Sequence, residues 1–373
     1  MKETAVKKIV FIFGTRPEAI KLCPVIKEFK KINEKNNKIN IQICLTGQHA
    51  DMLDSVLDTF SLDADHRFLV MQKGQSLAEL NSSVFLKVGE LLDKEKTDLV
   101  FVHGDTATAF ASALACFFRK IPIAHVEAGL RTYELYSPYP EEFNRRAISC
   151  MASFHFAPTE AARENLLREG IDSKDIFVTG NTVIDALRFT VKEGYSHSLL
   201  DWAEDSKLII ITAHRRESLG EPMRKSFRAI RRIFEERKDI KAIYPVHPNP
   251  AVRRIAEEEL SGCERIKIIE PLDVLDFHNF LARCYCVLTD SGGIQEEAIF
   301  FHKPILLMRE STERPEGVEA GGVMLVGNEE EKTYRSIELL LDNDLLYQKM
   351  ADAENPYGDG RASERIVRVF GCG

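Results

Sequence analysis

Short runs of β-branched and aromatic residues alternate along this chain with longer stretches whose apolar positions recur every three or four residues. In the first half, residues 9–13, 39–45, 99–103, 121–125, 154–157 and 176–178 read as strands. Residues 18–31, 52–60, 77–94, 106–118, 141–151 and 159–169, which lie between them, have helical spacing. The strands are apolar on both faces, which predicts a parallel sheet covered by helices on both sides. The alternation pauses at Thr179-Gly180-Asn181-Thr182 and restarts after a polar stretch, 192–207. Second-half strands are predicted at 207–212, 240–245, 267–269, 286–289, 304–308 and 323–326, with helices at 222–236, 251–260, 274–284, 294–301 and 331–343. The expected fold class is therefore α/β, with two Rossmann-like doubly wound domains in tandem. Their predicted extents are 1–182 and 183–357. The amphipathic stretch 361–370, within 358–373, is expected to pack back onto the first domain.

Composition narrows the function. The net charge of −8 gives no basic face for nucleic acid, so an anionic ligand has to be held by a local cluster of cations. The eight cysteines show no C-x-x-C spacing and read as free thiols; a metal role for Cys284 and Cys286 needs further ligands. No signal-peptide pattern precedes residue 9, and no apolar run reaches the ~18–20 residues of a membrane span. A protein without a membrane partner, in a reducing cytoplasm, is expected.

The chemistry lies at the strand ends, where ligands bind in open α/β sheets. Three acidic segments sit there: His103-Gly104-Asp105-Thr106, His125-Val126-Glu127-Ala128-Gly129 and Pro140-Glu141-Glu142. Asp105, Glu127 and Glu141 are candidates for proton transfer on a small molecule, whereas His103 and His125 are expected to shape their turns. Gly14-Thr15-Arg16-Pro17-Glu18 ends a strand and opens a helix, a geometry that attracts anions, with Arg16 and Lys21 placed to face a phosphate. Asp290-Ser291-Gly292-Gly293 repeats that logic in the second domain. Glu297, one helical turn further on, is placed to accept from a ribose diol. His214, followed by Arg215 and Arg216, suits a departing phosphate. His247, in a proline-fixed loop, is a candidate ligand contact. Phe277 is placed either to stack on a flat base or to fill core, and Arg314 belongs to a further polar cluster at a strand end. No G-x-G-x-x-G occurs, so a nicotinamide cofactor lacks its usual fingerprint.

In this order, these motifs, together with Leu130-Arg131-Thr132, Asn144-Arg145, Thr179-Gly180-Asn181-Thr182, His214-Arg215-Arg216-Glu217 and Glu313-Arg314-Pro315-Glu316, closely resemble those of the non-hydrolysing UDP-N-acetylglucosamine 2-epimerases. The resemblance runs from the first strand to at least Gly327. It implies a GT-B arrangement of the two domains and reversible epimerisation of UDP-N-acetylglucosamine to UDP-N-acetylmannosamine in the cleft between them, supplying surface polysaccharide. It also implies acid/base roles for Asp105, Glu127 and Glu141, and assistance to UDP by His214. Nucleotide contacts are implied at or near Arg16, Lys21, His247, Ser291, Gly292, Glu297 and Arg314, with Gly293 in the same turn. A homodimer without metal or other cofactor is expected.

The C2 proton of an N-acetylhexosamine has no neighbouring carbonyl to acidify it. Departure of UDP makes C1 oxocarbenium-like and C2–H acidic, so a carboxylate can remove the proton and leave a glycal. Reprotonation on the other face and return of UDP give the epimer, which accounts for several carboxylates and a cationic cradle. A hydrolysing relative and a GT-B glycosyltransferase are the alternatives, and a non-catalytic nucleotide-sugar sensor is a more distant one. Family members activated by their own substrate carry Gln-x-x-Gln after the second strand and an arginine farther on. Here the first segment reads Gln48-His49-Ala50-Asp51, and Gly74 of Met71-Gln72-Lys73-Gly74-Gln75 takes the place of the arginine. Substrate activation is therefore expected to be altered or lost: initial rate against UDP-N-acetylglucosamine concentration should be hyperbolic, and clear sigmoidicity would overturn this.

Overall fold

Backbone N–H and C=O groups of apolar strands must find partners away from water, and parallel pairing provides them. In the computed structural model, which describes residues 8–36, 39–47, 50–71, 74–215, 218–312 and 314–371, all strand pairs are parallel. The first seven strands are β1 (Lys8–Phe13), β2 (Asn40–Leu45), β3 (His66–Arg67), β4 (Leu99–His103), β5 (Ile123–Val126), β6 (Phe154–Ala157) and β7 (Ile176–Val178). They form one sheet in the order β3-β2-β1-β4-β5-β6-β7. Six more form a second sheet: β8 (Lys207–Thr212), β9 (Ile240–Pro245), β10 (Ile266–Ile269), β11 (Cys286–Thr289), β12 (Ile305–Leu307) and β13 (Val323–Leu325), in the order β10-β9-β8-β11-β12-β13. Each sheet belongs to its own compact unit, Met1–Phe189 with Tyr357–Gly373 and Thr190–Pro356.

In both sheets the strand order reverses beside the first strand, at β1/β4 and at β8/β11. Ligands of doubly wound folds bind at the carboxyl ends around this switch point. Burial is complete along β1 from Ile9 to Phe13 and along β4 from Leu99 to Val102 to within a per cent, which is why these runs are apolar on both faces.

Most expected elements form, with local differences. The fifth strand starts at Ile123 rather than 121, because Pro122 has no N–H to donate to the ladder. The two-residue β3 is too short to carry a periodic signal. Helices Thr182–Thr190, Ser198–Ala203, Pro315–Glu319 and Asp344–Ala351 arise where no helix is predicted; each is nine residues or shorter, about two turns, and owes its stability to packing. Gln48, Gln72, Lys73, Arg216, Glu217 and Glu313 lie outside the described residues. Gly74 has a φ of 80°.

The chain returns to the first unit at its end. Asn181 N–H donates to the Tyr357 carbonyl (2.7 Å), and Gly180 and Gly358 pass so closely that a β-carbon on Gly358 would lie 3.0 Å from Gly180 Cα. Buried Asp185 accepts from Ala362 and Ser363 N–H at 3.1 and 2.8 Å, capping helix Ala362–Val369. Beyond that helix, the Phe370 ring joins those of Phe29, Phe101, Phe154 and Phe156.

Two positions expose the local demands of this fold. Gly129 has a φ of 92°, and a β-carbon there would sit 2.2 Å from the Ala162 carbonyl oxygen. Gly129→Ala should therefore cost at least ~2 kcal/mol, measured by urea unfolding. At the end of β5, fully buried His125 has its Nε2 2.7 Å from the Gly104 carbonyl, and burial pushes its pKa from 6.5 down to about 3. Below pH 6.5 the unfolded chain takes up a proton that the folded chain refuses, so this contribution to stability is present above that pH and is lost as pH falls towards 3. Between pH 6.5 and about 5, His125→Gln should lose ~2 kcal/mol less unfolding free energy than the parent.

Candidate active site

In the first unit, the carboxyl ends of β1, β4 and β5 carry the acidic cluster. Val126 closes β5, and the next residue, Glu127, has a left-handed backbone with φ of 63°. Such a conformation costs a β-carbon-bearing residue ~1–2 kcal/mol and persists only where its surroundings enforce it. Three groups do so here. The Lys21 ammonium forms an ion pair with the Glu127 carboxylate, both side chains being 9% exposed. Asn181 Nδ2 donates to Glu127 Oε2 at 2.8 Å, and His103 Nε2 lies 3.7 Å from the same oxygen. Removing one partner of so buried a pair generally costs ~3–5 kcal/mol. Lys21, expected to face a phosphate, thus holds a carboxylate in this structure.

Asp105 follows Gly104, whose φ of 63° turns the chain out of the sheet. The turn lies beside Glu127: a β-carbon on Gly104 would be 4.0 Å from Glu127 Oε1. The Asp105 carboxylate accepts from Arg145 Nη2, and its carbonyl accepts from Asn144 Nδ2 at 2.8 Å. Both donors come from helix Glu141–Met151, so the helix that begins with Glu141 also fixes Asp105. Neighbouring residues on a helix point about 100° apart, and the two glutamates at this start divide the work. Glu142 is fully buried and accepts from Thr132 and Tyr133 N–H at 3.1 and 3.2 Å. Half-buried Glu141 accepts no hydrogen bond from any described residue and so keeps its carboxylate for a ligand.

Arg16 opens helix Arg16–Asn36 from the β1 turn. The turn itself is held by Glu18, a carboxylate buried to within 1% that accepts from Gly14 N–H (3.0 Å), Thr15 N–H (2.8 Å) and the Thr15 and Thr106 hydroxyls (2.8 and 2.6 Å). Burial pushes its pKa up, and these four donors act against the rise.

The second unit carries the strand-end turns expected to hold an anion. His214 and Arg215 follow β8, and their N–H groups donate to Asp290 at 2.9 Å. Asp290, 1% exposed, comes from the end of β11 and locks the two strand ends together. The His214 and His247 rings stack 5.3 Å apart at 12°, and His247 has a lowered pKa through burial and the nearby His214. Ser291, Gly292 and Gly293 lead into helix Gly293–Phe300, whose N-terminus has no side-chain cap. Gln295 N–H donates to the Gly292 carbonyl at 3.2 Å, while the Gly293 and Ile294 N–H groups donate to no described residue.

The pair Glu296 and Glu297 divides as Glu141 and Glu142 do. Buried Glu296 accepts from Arg314 Nε at 2.6 Å, so this arginine is engaged within the protein. Glu297 keeps a buried Oε2 without a hydrogen-bond partner, 3.6 Å from His278 Nε2. Phe277 is half-buried on helix Val274–Arg283. Among the described residues no group of three or more His, Cys, Asp and Glu could hold a metal ion.

The structure thus gathers Lys21, Asp105 and Glu127 at the carboxyl end of one sheet, with Arg16 on the adjoining turn and Glu141 at the start of the helix that holds Asp105. At the other sheet it gathers His214, His247 and the Ser291–Gly293 turn, with Glu297 and Arg314 on the helix that follows and its neighbour. Sequence reasoning assigned no task to Glu18, Glu142, Asp290 or Glu296, although each sits where a turn leaves N–H groups without partners.

Known proteins match nearly the whole chain. The family model described as UDP-N-acetylglucosamine 2-epimerase matches residues 30–371. A Bacillus subtilis UDP-N-acetylglucosamine 2-epimerase is 51% identical over 360 residues, 96% of this chain and 94% of the relative. The Staphylococcus aureus MnaA–UDP structure has a TM-score of 0.91 at 49% identity, covering 97% of this chain and 95% of that one. A Neisseria meningitidis UDP-GlcNAc 2-epimerase bound to UDP-GlcNAc has a TM-score of 0.91 at 44% identity, covering 97% and 99%. In sequence and in fold, this chain belongs to the UDP-N-acetylglucosamine 2-epimerase family.

Proposed function

We propose that the protein interconverts UDP-N-acetylglucosamine and UDP-N-acetylmannosamine without net hydrolysis, and that the acid/base cluster and the anion cradle serve one substrate. The carrying observation is the contrast within the acidic cluster: Asp105 and Glu127 are each tied to a buried cation, while Glu141 is unengaged. Two carboxylates held in place by cations beside a third that is open to a ligand suit proton exchange on both faces of one carbon.

The C1–O bond to UDP breaks and the bonding electrons leave with the diphosphate. His214 and the uncapped N-terminus at Gly293 oppose the charge that develops there. A carboxylate takes the C2 proton, the C1–C2 double bond forms, and a 2-acetamidoglucal results. Protonation of C2 on the opposite face and re-attack of UDP at C1 complete the epimerisation, with no atom lost. The unpartnered Glu297 Oε2 suits a ribose hydroxyl, and Phe277 a uracil face. The product then serves surface polysaccharide synthesis. Exposed Leu86, Phe117 and Phe118 on helices Leu77–Lys94 and Ala107–Phe118 support a homodimer.

Incubation with UDP-N-acetylglucosamine in D₂O should place deuterium at C2 of a pool that remains UDP-linked, followed by NMR. Stoichiometric release of UDP and free sugar would instead make the protein a hydrolase, and no change without an acceptor would favour a transferase. Asp105→Asn and Glu127→Gln should each slow exchange by ~10²–10⁴. His214→Asn should lower kcat by ~10²–10³, in proportion to the leaving-group stabilisation removed. Full exchange in Asp105→Asn would sink the role given to that residue.

A further inference from the structure

Among the buried carboxylates of the first unit that the proposed chemistry does not use, Glu18 sits at the turn that ends β1. Glu18 Oε2 takes both N–H groups of the turn that carries Arg16, and the Thr15 hydroxyl as well. Its other oxygen, Oε1, takes only the Thr106 hydroxyl. Thr106 is itself the N-cap of helix Ala107–Phe118, accepting from Ala109 N–H at 3.0 Å, so its proton is directed at Glu18. Thr106 also directly follows Asp105. The Gly14 turn also packs on the first turn of that helix: a β-carbon on Gly14 would lie 2.5 Å from Thr108 Oγ1.

We propose that Glu18 is a positioning residue, a strut that fixes the Arg16 turn against the Asp105 turn through the Thr106 hydroxyl. Asp105 is then clamped from two sides, by Glu18 through Thr106 and by Asn144 and Arg145 from helix Glu141–Met151. A side chain that never reaches the substrate thereby sets the distance between a phosphate-facing cation and a proton-transfer group. This rests on the acid/base role given to Asp105 above.

Two substitutions cut the strut at different points. Glu18→Gln keeps the shape, but its amide nitrogen donates where Oε1 accepted, so the Thr106 hydroxyl loses its acceptor. Thr106→Val leaves Glu18 intact and removes the hydroxyl, and Thr106→Ser restores it. The parent must first show C2 deuterium wash-in; its failure to do so would overturn the proposed function, and the amide measurement below would still decide the strut.

Misplacement by about an ångström costs on the order of 10²-fold in rate. Glu18→Gln and Thr106→Val should each lower kcat by ~10–100-fold with KM within about threefold. The double variant should be no slower than the worse single one, because both cut the same link. Thr106→Ser should stay within about threefold of the parent. In amide hydrogen exchange read by mass spectrometry, Thr106→Val should speed exchange in the peptide holding Gly14 and Thr15, which Thr106 reaches through Glu18. Multiplying effects in the double variant, both single variants within threefold of the parent, or an unchanged Gly14–Thr15 peptide in Thr106→Val would each overturn the strut. If Glu18→Gln fails to fold, the Thr106 pair and the amide measurement decide alone.

Discussion

A parallel strand ends with backbone N–H groups that have no next partner in the ladder, and the turn that follows must satisfy them without water where it is buried. In this protein, buried carboxylates do so repeatedly. Glu18 takes Gly14 and Thr15 after β1, and Asp290 takes His214 and Arg215 after β8; Glu142 does the same for Thr132 and Tyr133 in a loop, and Asp185 for Ala362 and Ser363 at a helix start. Each arrangement supplies two N–H donors to one carboxylate, which offsets part of the cost of burying the charge. Arg16 and His214, two of the candidate site residues, are carried on turns held in this way.

That constraint explains why the acids in the strand-end motifs are so numerous. Some are the scaffold of the site and others are available for chemistry, and adjacency in sequence separates them. In each of Glu141-Glu142 and Glu296-Glu297, one carboxylate is hydrogen-bonded within its unit, Glu142 by two N–H groups and Glu296 by Arg314, while among the described residues Glu141 and Glu297 Oε2 accept no side-chain hydrogen bond. A helix start presents consecutive residues on different sides, so a doubled glutamate can supply both a strut and a reactive group.

The acid/base cluster adds a second layer. Glu127 is held in a left-handed conformation by Lys21 and Asn181, the latter on the loop that also binds the returning chain through Tyr357. The segment that leads into the terminal helix therefore reaches a catalytic candidate: the Tyr357 carbonyl holds Asn181, and Asn181 holds Glu127.

The α/β class, the parallel sheets and most elements were legible in the sequence, because strands buried on both faces must be apolar throughout and helices must repeat at 3.6. The turn motifs were legible too, since glycine, cations and acids at strand ends mark places where a ligand can meet backbone N–H groups. Two-residue β3 and the short helices were not, for they owe their form to packing rather than to local pattern. Nor could the sequence say that Lys21 would pair with Glu127 across 106 positions, or that Glu18 would reach Thr106 across 88. Pairing across such separations depends on which strands lie side by side. The β1–β4–β5 order places residues far apart in sequence within hydrogen-bond reach, and only the tertiary structure decides which acids are held by neighbouring donors.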